Sequence, residues 1–261
     1  MPEFTILQVT PSIVVASILF VLLLLCYLLG HRVFLHQVKK NPELEKTNLS
    51  TINGMLLGLL GLLLAFSFSM SNSRFDTRRE LVVEEANAIG TAVLRTRLLS
   101  DSMRDVLKPL LRDYVEERIL FYQSGMDLKT VWKHVLASDS LSNVIWNATA
   151  AYARRNPMQT EVSKIVPALN DMIDITLTRR AAGEATIPDS IMYFLFSLCL
   201  GSAFLLGYDQ RGPINWTIVF GFALMLSATV FTITDLDRPR SGLIRMDGPN
   251  AKIVELRGLF K

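Results

Sequence analysis

Small and polar side chains recur at three- and four-residue spacing between positions 54 and 80. At about 100° per residue, they fall on one face of a helix. Along that helix the residue types change from glycine and alanine to hydroxyl and amide, and then to carboxylate. The set, called here the 54–80 stripe, is Gly54, Gly58, Gly61, Ala65, Ser69, Asn72, Asp76 and Glu80. Around the axis of a symmetric oligomer, rings of these groups would leave room for an ion, and the carboxylates would attract cations.

The 54–80 stripe has a second interpretation that the sequence leaves open. Small residues four apart let transmembrane helices approach closely, and this alone would explain the glycines. The carboxylates would then be solvated charges. Three bulky residues point elsewhere on the same helix and would form a hydrophobic constriction if the helix were rotated: Leu62, Phe66 and Phe68.

Other chemistry is not suggested by the sequence. The histidines are His31, His36 and His134, and none has the spacing to Cys or carboxylate that a metal site requires. Nucleotide-binding and hydrolase motifs are missing as well. We therefore predict a protein without cofactor or metal that is not an enzyme.

Four long apolar runs must position the stripe. Positions 12–30, 51–70, 187–208 and 214–234 are free of charged residues except at their ends, and each is long enough for a ~30 Å hydrocarbon core. Half of the residues in the chain are hydrophobic. The sequence predicts an all-α membrane protein with four transmembrane helices in the lipid bilayer.

The segment between the second and third runs predicts a water-facing helical domain. We expect spans one and two within 1–71, this domain at 72–186, a hairpin of spans three and four at 187–235, and a tail at 236–261. Apolar residues at three- and four-residue spacing predict helices at 103–115, 128–136, 141–155 and 160–182. Pro109 predicts a kink or a late start in the first of these, and Pro167 an interruption of the last. For Arg179 and Arg180 we favour pairing with acidic residues over contact with lipid headgroups.

Charge predicts the orientation of the chain in the membrane. Lys and Arg near the span ends number nine on the side of the termini and five on the other side. This excess predicts that both termini and the 72–186 domain are cytoplasmic. That domain carries 16 Lys/Arg and 15 Asp/Glu, so it has no overall attraction for nucleic acid.

Several short motifs resemble the bestrophin-like family of bacterial and plant membrane proteins, the DUF4239 domain. Arg74-Phe75-Asp76, Arg79-Glu80 and Glu84-Glu85-Ala86 are similar to its second span and the continuation of that span. Ile187-Pro188 resembles the entry to its third span. Asp237, Pro239 and Gly242 resemble the end of its fourth span. The matches follow the family's order over nearly the whole chain.

The resemblance implies a function and a partner. True bestrophins are pentameric ion channels whose second span lines the pore, so it implies a homo-oligomer, a pentamer by preference, that conducts inorganic ions. The apolar neck of those channels aligns with Gly61, Ala65 and Ser69, which are small, so this alignment does not reproduce it. The alternative is a non-conducting scaffold or sensor whose cytoplasmic domain binds a protein.

Overall fold

The computed structural model describes residues 10–43, 49–125, 127–238, 242–244 and 247–261, and these ranges contain helices and no strand. The α-helices in them are α1 (Ser12–Lys40), α2 (Ser50–Arg95), α3 (Asp101–Gln123), α4 (Leu128–Arg155), α5 (Thr160–Glu184), α6 (Asp189–Tyr208), α7 (Trp216–Asp237) and α8 (Asp247–Glu255). Short 3-10 helices follow α2 at Thr96–Leu98 and α8 at Leu256–Phe260.

Four helices in the described ranges are long and apolar enough to cross a membrane, which confirms the predicted four-span, all-helical fold. They are α1, α2, α6 and α7. Helix α2 has 46 residues and continues well past its apolar part. At 1.5 Å per residue it is about 70 Å long, more than twice the ~30 Å of a hydrocarbon core. The helix that carries the 54–80 stripe is therefore unbroken.

The chain divides into two compact units, which we call the membrane unit (Met1–Arg74 with Thr186–Ile244) and the second unit (Phe75–Ala185 with Arg245–Lys261). In the membrane unit α1 packs against α6 and α7. The tightest approach is at two glycines: a Cβ atom on Gly30 would clash with the carbonyl of Phe204, and one on Gly207 with the carbonyl of Tyr27. Glycine at these two positions lets the backbones of α1 and α6 touch.

The second unit has its own hydrophobic core. The fully buried side chains at its centre come from the end of α2 and from α3, α4 and α5, and include Ile89, Leu107, Leu111, Tyr114, Ile145, Leu169 and Met172. The tail joins the same core through Ile253 and Leu256. Arg257 adds two hydrogen bonds to Glu116 of α3, at 2.8 and 2.6 Å. Residues 245–261 are thus part of this unit.

Helix boundaries in the second unit differ from the predicted ones. The predicted helices at 128–136 and 141–155 are one helix, α4. The intervening serines fit inside it because the Ser138 hydroxyl donates to the Val135 carbonyl and the Ser142 hydroxyl to the Asp139 carbonyl.

Neither proline breaks its helix. Pro109 lies inside α3 and Pro167 inside α5, so α3 does not start late and α5 is not interrupted. An interior proline costs roughly 3 kcal/mol. Fully buried leucines two positions from each proline, Leu107, Leu111 and Leu169, offset this cost by packing in the core.

Candidate functional site: the two faces of α2

One face of α2 is buried against its own chain. Between positions 53 and 80 its buried residues recur every seven positions, two helical turns, in two series: Asn53, Leu60 and Ser67, and then Ser71 and Arg78, a series that Glu85 continues. This spacing keeps them on one side of the helix. Five of the six carry polar or charged side chains. This part of the buried face is therefore largely polar, which the sequence did not indicate. From position 81 onward buried apolar residues such as Val82 and Ile89 join it.

The opposite face holds the 54–80 stripe, and all eight of its residues are exposed. A Cβ atom built on Gly54, Gly58 or Gly61 would meet no atom within 4 Å among the described residues. Close packing of this stripe against another helix of the same chain is thus not seen in the described part of the protein. The bare face is available to a second subunit or to water.

The candidate constriction residues are exposed as well. Leu62 is 54% exposed, Phe66 63% and Phe68 42%. They neighbour the 54–80 stripe and are not part of the core of the membrane unit.

The second span is also the least covered of the four. In the most apolar 18-residue stretch of this span 17% of the residues are buried, compared with 33% in the corresponding stretch of each of the other three spans. A helix that its own chain leaves so bare has most of its circumference free for contacts from outside the subunit.

A network of buried charges centres on Glu85, whose side chain is fully buried. The Arg118 Nε donates to Glu85 Oε1 at 2.5 Å, and the Tyr122 hydroxyl donates to Oε2 at 2.8 Å. Arg179 donates to the same Oε2. This ties α2 to α3 and α5. The neighbour Glu84 is exposed, as expected for adjacent positions on a helix.

The network changes the acidity of two groups around it. Burial raises the pKa of Tyr114 far above its usual value, and its buried hydroxyl has no hydrogen-bond partner in the described part of the chain. Burial, the largest single influence, would lower the pKa of Arg118, but the attraction of Glu85, its hydrogen bond and the neighbouring acidic groups together outweigh burial and raise the pKa. Tyr114 therefore stays neutral and Arg118 stays charged.

The paired arginines confirm the predicted pairing with acids. Arg179 pairs with Glu85, and Arg180 pairs with Asp139 at 2.9 Å. Arg78, two residues before the stripe ends, is itself buried and donates to the carbonyls of Ala182 and Ala185 at 3.0 and 2.5 Å. It thereby satisfies orphan carbonyls at the C-terminal end of α5.

The motif residues near α6 and α7 form a structural corner in the membrane unit. Asp237 accepts the backbone N–H of Ile187 with both oxygens, at 3.1 and 3.0 Å, just before Pro188 and the start of α6. Asp237 also forms an ion pair with Arg74 at 3.6 Å.

The same corner explains another motif residue. Asp235, 2% exposed, accepts the N–H groups of Leu243 and Ile244 at 3.1 and 2.9 Å. A Cβ atom on Gly242 would come within 2.7 Å of the Asp235 carboxylate. Pro239 lies outside the described residues.

The remaining motif residues are on α2. Phe75 is half-buried, and Arg79 is exposed. Among the described residues, no group of three or more His, Cys, Asp or Glu side chains could hold a metal ion. His134 instead contacts Glu117, with 2.7 Å between Nδ1 and Oε2.

We compared the sequence and the structure with those of known proteins. The sequence pattern of the Bestrophin-like domain matches residues 17–247. A solved bacterial bestrophin homologue from Klebsiella pneumoniae superposes with a TM-score of 0.67 at 15% identity, covering 92% of this chain and 96% of that one. A variant of such a homologue with tryptophan replaced by alanine gives 0.68 at 13% identity, covering 92% and 95%.

A membrane protein variant with proline replaced by alanine gives a TM-score of 0.69 at 15% identity, covering 94% of this chain and 97% of that one. Among curated proteins, none matches the sequence. At these identities the likeness of the solved structures shows a shared fold.

Proposed function

Because the chain belongs to the Bestrophin-like family, we propose that it forms an ion channel in the cell membrane, with α2 of each subunit lining the conduction pathway. The observation that carries the proposal is the bare face of α2. The eight residues of the 54–80 stripe are exposed and follow one face of an unbroken helix. Small residues along such a face leave space for a hydrated ion, and no side chain of the described chain fills that space.

One α2 helix cannot enclose a pathway, so the proposal requires a closed ring of subunits. We propose a homo-oligomer, with five subunits as in the channels that the family resembles. The low burial of α2 supports this, because contacts from neighbouring subunits would cover the flanks of the helix and leave the stripe at the axis.

The charged end of the stripe is the basis for a proposed preference of the pathway for cations over anions. Asp76 and Glu80 are exposed one turn apart on α2. Repeated around an axis, they form two rings of negative charge that raise the local concentration of cations. We propose that this mouth is cytoplasmic, together with both termini and the domain between spans two and three, since positive charge near the span ends favours that orientation.

We propose that residues of α2 also form the narrowest point of the conduction pathway. Gly61, Ala65 and Ser69 leave the axis wide, so a constriction requires bulky neighbours to turn toward it. Leu62, Phe66 and Phe68 are exposed and free to take that position if α2 rotates.

Recordings from planar bilayers test the acidic mouth. In a tenfold KCl gradient, a perfectly cation-selective pore reverses near 59 mV. The double variant Asp76→Gln/Glu80→Gln should move the reversal potential toward zero by tens of millivolts. The matched control is Asp171→Asn/Asp174→Asn, which removes two exposed carboxylates of α5 and should leave the reversal potential unchanged. Equal reversal potentials in both double variants would show that Asp76 and Glu80 do not set the cation selectivity.

The subunit count tests the pathway itself. Native mass spectrometry of the detergent-purified protein should show a closed ring. A monomer or a two-fold dimer has no axis for α2 to line, and this outcome together with silent bilayers would favour the scaffold or sensor function.

A further inference from the structure

A basic cleft opens in the second unit between the end of α2, the first turns of α3 and the tail. Its volume is about 270 Å³. Four cationic side chains line it, with two apolar residues forming part of the wall: Arg97, Arg104, Lys108 and Lys261, and Val93 and Leu259. Three separate segments of the chain thus bring positive charge to one place.

Of the four cations that line the basic cleft, only one has a counter-charge among the described residues. Arg104 pairs with Asp101 at 2.7 Å. Arg97, Lys108 and Lys261 have no ion pair or hydrogen bond with any residue of the described ranges. Another exposed arginine of this unit, Arg257, does pair with a carboxylate, that of Glu116 at 2.6 Å.

Gathering like charges without counter-charges is unfavourable, since each pair of them repels. An anion placed among these side chains would reduce that repulsion. Guanidinium forks and ammonium groups together match the oxygens of phosphate better than those of a single carboxylate. The volume is slightly below the usual range for small-molecule sites, which suits a compact group.

We propose that the basic cleft binds a phosphate-bearing anion with at least two phosphate charges, such as a diphosphate group. The apolar wall of Val93 and Leu259 would cover one side of the ligand. Since Lys261 belongs to the tail and Arg97 and Lys108 do not, the bound anion holds the tail to the α2–α3 corner. This site lies apart from the 54–80 stripe, and the proposal does not depend on conduction.

Isothermal titration calorimetry of the full-length protein in detergent tests the site with inorganic pyrophosphate. The cleft variant is Arg97→Gln/Lys108→Gln. Its matched control is Arg155→Gln/Lys133→Gln, which removes one exposed arginine and one exposed lysine of α4. We expect saturable binding to the native protein and the control. Binding to the cleft variant should be weaker by about tenfold for each cation removed.

A second arm separates a soluble ligand from a lipid headgroup. The same three proteins, kept in detergent micelles, are titrated with phosphatidylcholine and with phosphatidic acid, each carried in the same detergent. Binding that needs phosphatidic acid and is lost only in the cleft variant supports the site with a lipid as source. Pyrophosphate binding lost only in that variant supports it with a soluble source.

The proposal is wrong if neither probe binds, or if the cleft and control variants weaken binding equally. Lys261→Gln, at the end of the tail, provides an independent variant should the double substitution disturb folding. It too should weaken binding and should lower the protection of residues 256–261 from hydrogen exchange when pyrophosphate is present.

Discussion

Replacing Glu85 by glutamine should loosen the second unit. The substitution keeps the size of the side chain but removes the buried carboxylate that Arg118 and Arg179 share. Arg118 is 4% exposed and Arg179 9% exposed at the side chain, so neither guanidinium gains water in exchange. Their charges would be left buried without this partner.

The expected loss of stability of the second unit follows from the burial of these two guanidinium groups. Removing one partner of a buried ion pair costs about 3–5 kcal/mol. At about 1.4 kcal/mol per factor of ten, the opening of the unit becomes roughly 10²- to 4 × 10³-fold more frequent. The cost is larger than for a surface carboxylate, whose substitution stays within about 0.5 kcal/mol.

Hydrogen exchange of the full-length protein in detergent measures this opening. Amides of α3 and α5 beside the network should exchange faster in Glu85→Gln by the factor above. Glu84→Gln, the neighbour that is exposed, is the matched control and should change exchange by about twofold or less. If both variants exchange alike, Glu85 is not the counter-charge of the two arginines.

A double variant isolates the pair itself. Arg179→Gln alone should be strongly destabilising, but in the Glu85→Gln background the same substitution should cost much less, because the interaction is already gone. Additive effects of the two substitutions would mean that the residues do not interact.

Two further predictions concern backbone contact and pH. Gly207→Ala should reduce stability by about 1–3 kcal/mol or more, because its Cβ clashes with the Tyr27 carbonyl, whereas Gly201→Ala on the same helix meets nothing within 4 Å; equal melting temperatures in scanning fluorimetry would contradict the close approach. The hydrogen bond from Arg257 lowers the pKa of Glu116. This contact is fully stabilising above the ordinary glutamate pKa of about 4.3 and is lost as pH falls through the lowered value. Hydrogen exchange in 247–261, corrected for its intrinsic pH dependence, should rise there, and Glu116→Gln should show no such rise.

The spans could be predicted because they depend on local composition. Runs of about twenty uncharged residues have few alternatives to crossing a membrane. The full length of α2 was harder to predict from the sequence, since its polar part has the composition of many water-exposed helices. The split predicted in α4 was wrong because serine and aspartate near 138–140 lower helix propensity only slightly, and tertiary contacts override it.

The Glu85 network could be predicted only in part. The pairing of Arg179 with some acid follows from the cost of an unpaired charge next to an apolar core. Which acid pairs with it does not follow, because 94 positions separate Arg179 from Glu85 and the sequence holds no record of that proximity. For the 54–80 stripe the sequence gives the helical face, but its exposure depends on where α1, α6 and α7 pack.

The corner after α7 has a consequence for how the sequence can vary among relatives. Its two carboxylates, Asp235 and Asp237, bind backbone N–H groups, which every residue except proline supplies. Another non-proline residue at position 187, 243 or 244 therefore keeps these bonds, and Ile187 is held only by its packing in the core. The constraint falls on the two aspartates and on Gly242, where any side chain would displace the Asp235 carboxylate. A change at either aspartate would thus cost the corner its hydrogen bonds whatever residues supply the donors.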